Sequence, residues 1–207
     1  FYAKPAVILF YAYCIMDYHQ KYLKYKAKYL RASGICSDGR DGVKAICVIR
    51  GDRMYDRDMR ISGTIYLDEM DDGCTRIYGT VVGLADGEHG FHVHESADLT
   101  QCCKSLKGHY NPFGKDHGDR VIQNKDGTVV TNHNRHVGDL GNIISTNGTA
   151  TIDFTDSLIK LSGKHSVIGR SIIIHKDKDD LGQINTTESR TTGTSGDRIA
   201  CGIIGLL

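Results

Sequence analysis

The sequence predicts an all-β domain of short antiparallel strands, a sandwich or barrel, preceded by a short N-terminal helix. Three observations predict it. Eight runs rich in β-branched residues follow one another with no helical pattern between them: Val43–Arg50, Arg60–Leu67, Cys74–Val82, His89–Glu95, Leu140–Ser145, Ala150–Phe154, Ser171–His175 and Arg198–Leu206. Twenty-four glycines, two prolines and no tryptophan suit many tight turns between such strands. At 207 residues and 40% hydrophobic content the chain can bury one core with a small appendage. The expected division is an extension over 1–41 and a β-domain over 42–207.

The extension comes first in the chain. Its opening residue is Phe1, which reads as a fragment, a processed product or a chain whose translation starts later, at Met16. Ala6 to Met16 is apolar but too short to span a bilayer, and it has the length of a signal-peptide core. Lys4 is its basic flank, and no small-residue cleavage site follows. Asp17 to Ala32 reads as a helix in which tyrosines and leucines alternate with lysines. A solvated basic amphipathic helix is the plain reading; contact with a membrane surface or a partner stays open beside it. This segment resembles Lys/Tyr-rich helices at the ends of proteins from large DNA viruses. Arg31 to Asp41 reads as a linker.

Charge separates the two parts. Residues 1–40 hold seven Lys/Arg against Asp17 and Asp38, a net +5, which leaves 19 basic and 23 acidic residues, a net −4, for the remainder. A weakly acidic body gives no footprint for nucleic acid. Seven cysteines (Cys14, Cys36, Cys47, Cys74, Cys102, Cys103, Cys201), an odd number without a CxxC spacing, indicate neither a zinc ribbon nor a dense disulfide framework, and at most one or two bridges are expected.

Within the β-domain, His92 and His94 are separated by one residue on a strand. They therefore point to one face, about 7 Å apart along the backbone. Alone, the pair fits a metal site and an exposed strand with incidental histidines equally well. The intervals Ser96–Asp139 and Lys176–Asp197 are long, polar and glycine-rich, which in a compact domain marks function or disorder. The first carries His109, His117, His133, His136 and Asp139, and the second begins directly after His175. A same-face pair followed by a loop dense in His and Asp turns the balance toward metal.

Several stretches, in order, resemble the copper/zinc superoxide dismutase family: GEHGFHVHE (Gly87–Glu95), GHYNPFGKDHG (Gly108–Gly118), NRHVGDLGN (Asn134–Asn142), LSGKHSVIGRSIIIH (Leu161–His175), DDLG (Asp179–Gly182) and GDRIACGIIG (Gly196–Gly205). The resemblance spans Val43–Leu207 and implies an eight-stranded Greek-key barrel. It implies copper held by His92, His94, His109 and His175, and zinc held by His109, His117, His136 and Asp139, with His109 shared. Asp179 corresponds to a carboxylate joining His92 to His117 from behind, and Cys103 and Cys201 to an intrachain disulfide. Arg198 corresponds to the arginine that docks a small anion, and Thr192 to a residue narrowing the same channel. The implied reaction is disproportionation of superoxide to oxygen and hydrogen peroxide, with His109 exchanging a proton.

The resemblance further implies a homodimer, to which Ile168, Gly169 and Leu206 conform while Ser96 replaces a common aromatic. A copper chaperone is a candidate partner. His89 is expected to be packed and structural, His133 solvated, Cys47 a buried free thiol, and Cys102 a rival for the disulfide. Departures from the family are a polar insertion at Val121–Thr131, and Thr191 where many members carry a steering lysine. Arg190 and Lys178 are the residues expected to compensate. The setting expected is intracellular, a host cytoplasm or virion, with secretion as the alternative, for which the sequons at Asn147 and Asn185 would matter. The functional alternative is a non-catalytic copper-binding or decoy protein on the same fold.

Overall fold

The computed structural model describes residues 42–56 and 60–207. The expected N-terminal helix, apolar segment and linker lie outside the described residues. Among the described residues there are eleven strands: β1 (Lys44–Gly51), β2 (Ser62–Glu69), β3 (Thr75–Val82), β4 (Gly87–His94), β5 (Thr100–Cys103), β6 (Val121–Gln123), β7 (Val129–Thr131), β8 (Asp139–Thr146), β9 (Thr149–Asp156), β10 (Ser171–His175) and β11 (Arg198–Leu206). Eight of them close a barrel in the order β1-β11-β10-β4-β8-β9-β3-β2, with every pairing antiparallel. These eight are the strands read from the sequence, with ends shifted by up to two residues. The last two coincide with the expected bounds.

Alternation builds the core. Ala45, Cys47 and Ile49 of β1, Ile65 and Leu67 of β2, Ile77 and Val81 of β3, and Ile172 and Ile174 of β10 all point inward and are fully buried. β4 departs from this pattern because it is buried on both faces. Phe91 and Val93 face the core, while His92 and His94 face outward under the long loops.

The loops hold more structure than the sequence reading assigned. Lys104–Leu106 forms a 3-10 turn after β5, and Thr187–Thr191 forms a short helix whose Thr186 hydroxyl accepts from Ser189 N. The expected polar insertion is a hairpin of β6 and β7 around Asn124–Thr128, closed by Asn124 N donating to Thr128 O and Gly127 N to Asn124 O. Its strands are apolar and exposed at Ile122, Val129 and Val130. Among the described residues no helix is long and apolar enough to cross a membrane.

Candidate metal centre

Val93 stitches the site together. Its carbonyl accepts from Tyr110 N and its N–H donates to Gly138 O, both at 2.8 Å, while Gly138 N donates to Tyr110 O at 2.9 Å. The segment carrying His109 and the turn carrying His136 and Asp139 are thereby hung on the middle of β4. The β4–β8 ladder shifts register between Gly90 and His92, and the β10–β11 ladder shifts between Ile174 and His175. Such bulges re-aim side chains. Here they fall at two of the clustered histidines.

Two four-residue groups result, His92, His94, His109 and His175 in one and His109, His117, His136 and Asp139 in the other. Within each group the potential ligand atoms lie within 4.8 Å of one another, and every member is buried. His109 belongs to both: its ring is 4.1 Å from that of His92 and 5.6 Å from that of His136. Its Nδ1 is hydrogen-bonded to Asp139 Oδ1 at 2.8 Å, which leaves Nε2 facing the first group. Asp139 Oδ2 accepts from Gly118 N and His136 N, so its second oxygen locks the turn.

Asp179 lies behind both groups, fully buried. Its carboxylate meets His92 Nε2 at 2.6 Å and His117 Nε2 at 3.0 Å. Its own backbone is gripped by the Asn142 amide, which accepts from Asp179 N at 2.8 Å and donates to Asp179 O at 2.9 Å. A carboxylate on the far nitrogen of each ring fixes which nitrogen looks inward. His94 Nδ1 to Lys107 O and His175 Nδ1 to Gly196 O, at 2.8 and 3.0 Å, do the same with carbonyls.

Among the described residues five buried ring nitrogens have no hydrogen-bond partner: Nδ1 of His92, His117 and His136, and Nε2 of His94 and His175. Those of His117 and His136 face Asp139 Oδ1 at 3.0 and 3.2 Å, in ion-pair contact with it. A buried polar atom left unpaired costs about 1–3 kcal/mol. Five converging in two clusters fit bound cations, and the donor sets differ in kind. Four imidazoles suit a redox metal such as copper, and three imidazoles with one carboxylate suit zinc.

Electrostatics follow the same division. Burial, followed by the charges of neighbouring histidines and Arg198, lowers His94 and His175 well below the ordinary range. Burial and His92 pull His109 down to about 3. For His117 burial also acts downward, but its contacts with Asp139 and Asp179 outweigh it and raise the value to about 10. Asp139 and Asp179 are both held below the usual carboxylate range by their histidines, against the opposing effect of burial.

Arg198 pairs with His175 across the β10–β11 ladder. Its guanidinium donates to three carbonyls of one turn: Cys103 at 3.0 Å, Lys104 at 3.2 Å and Lys107 at 2.5 Å. The Cys103–Cys201 disulfide ties that turn to β11, and Cys102 is a free thiol. Thr192 is exposed; its N–H donates to Glu188 O, and its hydroxyl to Gly193 O at 3.4 Å. His89 is buried with its ring bonded to His175 O and Ala85 O, whereas His133 is exposed.

Three contributors escaped the sequence reading. Arg135 is fully buried; it pairs with Asp156 and donates to the carbonyls of His136 and Val137 at 2.9 and 3.1 Å, holding the turn against β9. Gly193 sits at φ +71°, where a Cβ would come 2.0 Å from Asp179 Oδ1 and 2.8 Å from His117 Nε2, so only glycine leaves space for that bond. Asn142 is the third. The sequence shows an arginine beside a clustered histidine, but the burial of Arg135 against Asp156 needed the fold, as did the other two contacts.

Comparison with known proteins agrees with the geometry. Residues 61–204 match the family described as copper/zinc superoxide dismutase. A crystal structure described as that of the clock protein EA4 is similar at 39% identity and a TM-score of 0.70, over 83% of this chain and 99% of that one. Taken with the closed barrel and the two histidine groups sharing His109, the match over most of the chain means that this protein belongs to the copper/zinc superoxide dismutase family.

Proposed function

We propose that the protein disproportionates superoxide, converting two superoxide anions and two protons into oxygen and hydrogen peroxide. The observation that carries this reading is the sharing of His109 between the two groups, each ringed by orphaned nitrogens. His92, His94, His109 and His175 would hold copper, and His109, His117, His136 and Asp139 would hold zinc. When bound, copper supplies one-electron chemistry in both directions and zinc a fixed positive charge.

The chain's own residues do the rest. Arg198, pinned by three carbonyls, offers a guanidinium that cannot swing away and docks the small anion beside His94 and His175. His109 holds its Nδ1 toward Asp139 and so has Nε2 free to take a proton and deliver it to the reduced anion. Asp179 keeps the rings of His92 and His117 from turning as that proton moves.

A second reading is a metal-holding protein on the same fold that does not turn over, either a decoy or a copper binder. The similarity to a structure described as a clock protein favours it. Metal analysis with a dismutation assay separates the two. The dismutase reading expects about one copper and one zinc per chain, with activity lost in His175→Ala. Full loading of both metals without turnover sinks it and leaves the second.

A further inference from the structure

Lys107 stands in a backbone conformation that belongs to glycine. It ends the 3-10 turn at φ 64° and ψ −153°, a region that residues with a Cβ rarely enter. Its carbonyl has two tasks there, accepting from Arg198 Nη2 and from His94 Nδ1. Neither task uses the side chain, and glycine would serve both with less strain. The side chain therefore calls for its own account.

That side chain is exposed, as is the side chain of Lys104 at the other end of the same turn. Among the described residues neither ammonium has an ion-pair or hydrogen-bond partner. Lys178 differs, since its ammonium is 2.6 Å from Glu88, and Arg190 is bonded to the Asn185 amide. The two residues expected to compensate for Thr191 are thus engaged elsewhere. Lys104 and Arg198 also share a cavity of about 350 Å³ with Gln101, Tyr55, Asp52 and Asp197. The Asp52 carboxylate is turned inward onto Cys103 N and Met54 N. Asp197 is the acid exposed on this rim, and it accepts from the Tyr55 hydroxyl.

We propose that Lys104 and Lys107 are the anion-gathering residues of this site, forming with Arg198, which their turn holds, a rim of three cations that draws a small monoanion toward the first histidine group. Unpaired ammonium groups around a partly enclosed opening raise the local concentration of an anion and its rate of arrival, and salt screens the effect. The turn fixes where both lysine stems leave the backbone relative to the Arg198 guanidinium, because the carbonyls of both lysines hold it. Asp197 opposes them.

This inference rests on the reading of the first group as a copper site, and its test uses the copper- and zinc-loaded full chain with azide as probe. Azide affinity is followed by visible absorption at low and high ionic strength, beside the dismutation rate. Lys104→Gln with Lys107→Gln is expected to weaken azide about fivefold at low salt and to flatten the salt dependence. Lys107→Arg should retain affinity, and Asp197→Asn should tighten binding about twofold. Lys107→Gly, which relieves the backbone, should lose affinity without a lower melting temperature. Unchanged azide affinity and salt slope in the double variant, or no azide binding by the unaltered protein, overturns the proposal. Lysine-dependent azide binding without dismutation sinks the dismutase reading alone, whereas dismutation with lysine-independent azide binding sinks this one alone.

Discussion

At the scale of single residues, the centre is a set of rings whose protonation is decided by what each far nitrogen meets. His109 is neutral in the fold because burial and His92 pull it down to about 3, and His94 and His175 are lowered in the same direction. In the metal-free protein these rings charge on unfolding as pH falls below the ordinary value of 6.5, so stability is lost from there downward. His117 works in the opposite sense. Held up to about 10, it is charged in the fold, and its contribution is complete below 6.5 and lost as pH rises toward 10. The metal-free melting temperature should accordingly peak near pH 6.5, measured by circular dichroism across buffers. A steady rise from about pH 5 to about pH 9 would contradict the assignment of His117 as the charged ring.

At the scale of elements, β4 shows how alternation serves two masters. Phe91 and Val93 anchor the barrel while His92 and His94 serve the site, and Val93 also holds both histidine-bearing loops through its backbone. The Asn134–Gly138 turn has no such alternation to stabilise it and depends on Arg135. Removing one partner of a buried ion pair typically costs about 3–5 kcal/mol, since the other charge is left uncompensated. Arg135→Ala is expected to destabilise the metal-free protein by about that much in urea melts and to weaken zinc more than copper. A loss under about 1 kcal/mol would mean that the pair with Asp156 holds nothing in place. The β6–β7 hairpin, expected only as a polar insertion, carries a local signal of its own: Asp126-Gly127 between Ile122 and Val129 is a turn between β-branched runs.

For the whole molecule, the Greek-key order brings β4, β10 and β11 side by side although the sequence separates them widely. The Cys103–Cys201 disulfide closes a sequence separation of 98 residues and fastens the Arg198-holding turn to β11. A closed loop of that length restricts the unfolded chain by about 4–5 kcal/mol in the chain-entropy account. Cys201→Ser should lower stability by a similar amount and also reduce anion affinity, because the turn that pins Arg198 is released. Lost stability with full anion affinity, read from the same azide titration, would show that the turn stands without the bridge. Cys47, fully buried with its thiol pushed up to about 12 by burial, is not a competitor for that bridge.

The amino-acid sequence by itself determined the strand pattern, because an alternating apolar face is a local property of β-branched runs between glycine turns. It also determined which residue types were available for metal, since histidines at a spacing of two on a strand share a face whatever surrounds them. Only the tertiary structure decided which nitrogen of each ring faces inward, because that depends on Asp179, Asn142 and the carbonyls of Lys107 and Gly196 reaching across the fold. It alone decided that Gly193 must lack a side chain and that Arg135 is buried against Asp156. The union of His92 and His94 with His109 and His175 is likewise tertiary: an isolated bridge between His94 and His109 and a bulge at His175 set it, and no pattern along the chain encodes either.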